Sequence, residues 1–156
     1  MARLDHLRGH RALRIGRYSM GCHVYHVSTS THLRQPLFND FRAARAVVRC
    51  LNNPASLGQA ELLAWVVMPD HAHLLLQLGE FGSLPHVVNR LKGTSARAAN
   101  LTLGRVGPVW QRAFHDHMLR EEEDLETVGR YIVANPLRAG LVSRISDYPH
   151  WDAVWL

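Results

Sequence analysis

Trp65-Val66-Val67-Met68-Pro69-Asp70-His71-Ala72-His73-Leu74-Leu75-Leu76 is the stretch that decides the architecture of this chain. Apolar, strand-forming residues run on both sides of Pro69-Asp70, a two-residue break of the kind proline and aspartate favour. The strands predicted over 60–68 and 71–78 are joined so closely that they pair as an antiparallel hairpin. Alternation along the second strand sends His71 and His73 to one face and Ala72 to the other. Two imidazoles projecting together from a rigid strand make half of a divalent-metal site. The sequence holds 11 histidines, however, and His115-Asp116-His117 repeats the pattern. On spacing alone, chance explains an H-x-H pair better than a metal does.

Working outward, residues 23–31 are β-branched and aromatic and predict an earlier strand. Gln35-Pro36-Leu37-Phe38 reads as a turn, after which Asn39 or Asp40 caps a helix through about Leu51. Phe41, Ala44, Val47 and Val48 form its expected core face. Residues 84–101 predict a second helix, with Leu84, Val87, Val88, Leu91, Ala98 and Leu101 inward. Residues 109–119 read as a strand, with Trp110 assigned to the core. A final helix spans about 122–134, its apolar stripe Leu125, Val128 and Ile132, and Pro136 stops it. The order is β-α-β-β-α-β-α, whose first six elements match the split βαβ arrangement. The expected class is therefore α+β: a ferredoxin-like antiparallel sheet with helices on one face and a C-terminal helix bearing Tyr131. Trp151 and Trp155 are expected to cover a sheet edge.

At 156 residues, 47% of them hydrophobic and 20% charged, the chain reads as one globular domain over 17–156. Residues 1–16 read as a basic lead-in. No apolar run is long enough for a membrane-spanning helix, and no membrane partner is expected. Cys22 and Cys50 are isolated thiols, consistent with a reducing, cytoplasmic setting. Lysine and arginine together number 18 against 13 acidic residues, and Lys92 is the only lysine. Arginine offers planar, bidentate phosphate donors, which favours a nucleic-acid partner.

Tyr131 and Asn135 are four apart on the final helix and so share a face. A phenol is a competent nucleophile toward phosphorus when a cation polarises the phosphate. The amide oxygen of Asn135 suits a hard ion as a third ligand. A core-edge tyrosine followed by an Asn-Pro turn accounts for the pair equally well in isolation.

Four ordered blocks change the balance. Residues 65–76, quoted above, resemble the HUH signature of single-strand tyrosine transposases, two histidines around a hydrophobic residue, although Asp70 stands where Asn is commoner. Tyr131-Ile132-Val133-Ala134-Asn135-Pro136-Leu137-Arg138-Ala139-Gly140-Leu141-Val142 resembles the tyrosine helix of the REP-associated tyrosine transposases. Gly107-Pro108-Val109-Trp110-Gln111-Arg112 with His115-Asp116-His117 is similar to the strand before that helix. Pro36-Leu37-Phe38 with Asp40 matches the family's early turn.

The resemblance implies a metal-dependent transposase. His71, His73 and Asn135 would hold Mg²⁺ or Mn²⁺, and Tyr131 would cleave single-stranded or hairpin DNA through a 5′-phosphotyrosine link. No nucleotide cofactor is expected, because the link conserves the phosphodiester energy. Arg90, Lys92, Arg97, Arg105, Arg112 and Arg138 are candidate backbone contacts. His115 and His117 are not assigned to the ion. The expected assembly is a monomer or a homodimer, and the expected location is the cytoplasm, at the nucleoid of a prokaryote. The competing readings are a repeat-binding DNA protein without transposition, a small HUH nickase, and a metal hydrolase.

Overall fold

The computed structural model describes residues 22–156, so the lead-in predicted over 1–16 lies outside the described residues. Five strands form one sheet: β1 (Val24–Ser30), β2 (Glu61–Val67), β3 (His71–Gln77), β4 (His115–Met118) and β5 (Trp151–Ala153). Their spatial order is β4-β1-β3-β2-β5, with every pairing antiparallel. The hairpin predicted on either side of Pro69-Asp70 is β2–β3, and β3 lies at the centre of the sheet. The helices are α1 (Phe41–Leu51), the single turn α2 (Pro54–Leu57), α3 (Leu84–Leu103), α4 (Leu125–Val133) and the single turn α5 (Asn135–Arg138). This is the expected α+β, ferredoxin-like arrangement.

Strand alternation gives the sheet two different faces. Tyr25, Val27, Trp65, Val67, Ala72, Leu74 and Leu76 face α1 and α3 and pack with Val47, Val48, Val88 and Leu91. Asp40 caps α1, its side chain accepting from Ala43 N at 3.0 Å. On the opposite face, Ala64, Val66 and Leu75 pack under Ile132 and Val133 of α4. Trp151 pairs with Val66 through β5, and Trp155 packs on the α4 side, so the tail does cover the β2 edge.

Three expectations need correction. The strand predicted over 109–119 is ordered as a strand only over His115–Met118. Before it, the carbonyls of Gln111, Arg112 and Ala113 all accept from the Lys92 ammonium, at 2.5, 3.1 and 3.3 Å. Carbonyls gathered around one cation are not spaced for a ladder. Leu101 is 86% exposed, because the buried stripe of α3 passes from Leu91 through Ser95 to Ala99. Ser95 is tolerated there because its hydroxyl accepts from the Trp110 indole at 3.0 Å, which places Trp110 in the core. Phe41 is 59% exposed and leans on the His150 ring, with centroids 5.3 Å apart, rather than entering the core.

Candidate active site

The face that α4 only partly covers is lined with histidines. Ser28 stands opposite His73 and Ser30 opposite His71, while His26 pairs with His117 and Ser28 with His115. Alternation therefore places His26, His71, His73, His115 and His117 on one side of the sheet. The His71 and His73 rings lie edge to face, with centroids 5.1 Å apart. Each has its Nδ1 occupied. His71 Nδ1 is 2.6 Å from Asp70 Oδ1, and His73 Nδ1 is 3.0 Å from His26 Nε2.

Burial is the main reason the His73 imidazolium is disfavoured, its pKa falling from 6.5 to about 3. The neighbouring His26, His71, Arg138 and Arg34 push in the same direction. The ring is therefore neutral at neutral pH, with a lone pair to offer a cation. His26 is also shifted down, by burial first and by His117 second.

Tyr131 projects from the last turns of α4 and is 59% exposed. Asn135 opens α5, two residues beyond the end of α4, and donates its amide to Ile132 O at 2.8 Å. That bond uses the nitrogen end and leaves the oxygen for another partner. Arg138 lies over the Tyr131 ring, 3.8 Å from its centroid, and its charge is also felt at His73. The tyrosine helix α4 itself packs against the histidine strand β3. Among the described residues, no three His, Cys, Asp or Glu side chains are grouped to hold an ion. The residues that could hold a divalent ion are His71 and His73, with the Asn135 amide oxygen as a third candidate, and Asp70 lies against His71 Nδ1 as orienting carboxylates commonly do.

A family model described as "Transposase IS200 like" matches residues 19–135. The chain belongs to that family. Among its relatives, a protein of Haemophilus influenzae assigned as a REP-associated tyrosine transposase is 31% identical over 122 residues, covering 72% of this chain and 66% of the relative. The REP-associated tyrosine transposase of Escherichia coli is 30% identical over 93 residues, covering 57% of this chain and 52% of that one. The chain thus spans just under two thirds, and about half, of those relatives' lengths. The structure of a REP-associated tyrosine transposase bound to a REP hairpin superposes with a TM-score of 0.69 at 24% identity, over 86% of this chain and 79% of that one. A crystal structure assigned as a transposase from Deinococcus radiodurans gives a TM-score of 0.54 at 28% identity, over 70% and 87%. Among the described residues, no helix is long and apolar enough to cross a membrane.

The arginine candidates divide. Arg90, Lys92, Arg97 and Arg105 belong to α3 and the loop after it, which sit behind the sheet rather than on the histidine face. Arg90 packs over Gly58, Lys92 is committed to the 111–113 carbonyls, and Arg105 binds Asn100 Oδ1 at 2.8 Å. Arg112 lies on the same side, beside Lys92 and Gln111. Of the six, Arg138 alone is tied to the site.

Sequence reasoning missed Arg34, which pairs with Asp70 at 3.2 Å and with Ser30 Oγ at 2.7 Å. It sits in an irregular turn at φ 55°, where no periodicity flags a side chain. It also missed His26, whose place beside His73 depends on the β1–β3 register.

Proposed function

We propose that this transposase-family chain binds single-stranded or hairpin DNA across the histidine face and cleaves it with Tyr131 as nucleophile. The observation that carries the reading is the packing of the Tyr131-bearing α4 on the histidine side of the sheet, with Arg138 stacked on the Tyr131 ring. The arrangement puts a phenol and a guanidinium on the helix that packs over the strand carrying His71 and His73.

In the proposed step the Tyr131 phenolic oxygen forms a bond to phosphorus and the bond from phosphorus to the 3′ oxygen breaks. The phenol loses its proton and the departing 3′ oxygen gains one, leaving a 5′-phosphotyrosine and a free 3′-OH. A later 3′-OH reverses the step and rejoins strands, so no nucleotide cofactor is needed. His71, His73 and Asn135 would hold Mg²⁺ or Mn²⁺, which when bound supplies positive charge to polarise the phosphoryl oxygens. Asp70 keeps His71 oriented, and Arg138 holds the tyrosine ring while adding charge at the phosphate. Because α4 packs on β2 of its own chain, we read the tyrosine as acting in cis. The workplace is then the bacterial chromosome, at imperfect palindromes.

The test is covalent capture. Labelled single strands carrying imperfect palindromes are incubated with Mn²⁺ or with chelator, then resolved under denaturing conditions. Wild type should give an adduct that chelator and Tyr131→Phe abolish. An adduct that survives Tyr131→Phe refutes the nucleophile assignment. Binding without any adduct in wild type assigns the chain to repeat binding alone.

A further inference from the structure

The contact between His26 and His73 has a chemical consequence for the proposed ion site. An imidazole has two nitrogens, and in the neutral ring one carries the proton while the other holds a lone pair. His73 Nδ1 faces His26 Nε2 at 3.0 Å, with ring centroids 5.2 Å apart. Between two neutral rings that contact holds one proton. If it belongs to His26, then His73 must carry its own proton on Nε2 and has no lone pair there for a metal. If it belongs to His73, then Nε2 of His73 is bare and faces away from His26. Only the second arrangement permits ligation.

We infer that His26 is a positioning residue: its Nε2 accepts the hydrogen bond from His73 Nδ1 and thereby reserves Nε2 of His73 for a divalent ion. The inference rests on the metal reading of this site. His26 does for His73 what Asp70 does for His71, where a carboxylate oxygen lies 2.6 Å from Nδ1. The two orienting groups arrive from different directions, since Asp70 precedes the strand while His26 reaches across from β1. The geometry favours a fixed ring: β1 and β3 are paired along their full lengths, from Val24–Gln77 to Ser30–His71. Each histidine of the pair is thus held by one outer acceptor, a pattern that typically governs metal affinity by 10–100-fold.

Two variants and two readouts test this. His26→Leu removes the acceptor while keeping bulk on the strand, and His26→Gln restores an acceptor oxygen at similar reach. Mn²⁺ binding is followed by the electron paramagnetic resonance of the free ion. The His73 tautomer is read in metal-free protein from ring ¹⁵N shifts of histidine-labelled samples at pH 7.5. Wild type should carry the His73 proton on Nδ1. His26→Leu should move it to Nε2 and weaken Mn²⁺ roughly 10–100-fold, with circular dichroism unchanged, and His26→Gln should recover both. A folded His26→Leu that keeps the wild-type tautomer and affinity overturns the inference. Wild type that binds no Mn²⁺ overturns instead the metal reading on which it rests.

Discussion

Gly129 is the point where the tyrosine helix is closest to the C-terminal tail, and replacing it with alanine should change sign depending on Trp155. A Cβ at position 129 would lie 2.7 Å from Trp155 Cζ3 and 3.2 Å from Cε3, with Ala64 Cβ next at 3.5 Å. Carbon atoms prefer about 3.5–4.0 Å, so the methyl intrudes on a rigid ring that cannot yield without leaving the helix. Overpacking of this kind costs about 1–3 kcal/mol. Alanine in place of glycine inside a helix contributes about 0.8–1.0 kcal/mol in the other direction. The net in the wild-type background is a loss of about 1 kcal/mol. In a Trp155→Ala background the clash is gone, the Ala64 contact is an ordinary one, and Gly129→Ala should stabilise by up to about 1 kcal/mol. The coupling is therefore about 2 kcal/mol, within the range for residues in contact. Four proteins, unfolded in urea and followed by far-ultraviolet circular dichroism, complete the cycle. If Gly129→Ala has the same sign and size in both backgrounds, the helix is not seated against Trp155 as described.

Further predictions concern the core, the cap, the histidines and the site. Trp110→Phe leaves the Ser95 hydroxyl without its indole partner in a buried place and should lower stability by about 1–3 kcal/mol in denaturant titrations. Asp40→Ala removes the α1 cap and should cost about 1 kcal/mol in the same assay. Burial, then Arg45, lowers the His150 pKa, and its Nδ1 has no partner. Protons therefore bind the unfolded chain first as pH falls below about 6.5, and stability present above that value is lost on acidification. His150→Leu should make the urea midpoint fall less than wild type between pH 7.5 and 5.5, and equal falls would refute the assignment. Arg138→Met should slow formation of the DNA adduct roughly 100- to 1,000-fold, the range for one transition-state donor, while Arg90→Met should not; single-turnover assays on one substrate compare them.

Much of this architecture was legible from one strand pair. The break at Pro69-Asp70 located the β2–β3 hairpin, and alternation along β3 placed Ala72 and Leu74 in the core with His71 and His73 opposite. Local rules of that kind need only neighbouring residues. Those that failed depended on distant partners. Nothing near Lys92 in sequence reveals that it gathers the 111–113 carbonyls, so the shortened β4 was invisible. The stripe of α3 was read as apolar to its end, whereas Ser95 belongs in it because Trp110 supplies a donor from another segment. His26 likewise became meaningful only through a register set between strands 47 positions apart.

The two-faced character of β3 also bears on how such a protein can change over generations. Much of the strand's contribution to folding resides in Ala72, Leu74 and Leu76, whose side chains are sealed against α1 and α3, with Leu75 buried under α4 on the other face. The proposed ion ligands, His71 and His73, point to the other side and are only partly covered. On the proposed reading, a substitution at either histidine removes reactivity while the architecture persists, whereas a bulky substitution at Ala72 disturbs the core and with it the strand that carries both histidines. If the proposed chemistry holds, descendants of this fold can shed it in a single mutational step and survive as folded proteins. Loss of catalysis and loss of the scaffold are separate events, divided by one residue of pleat.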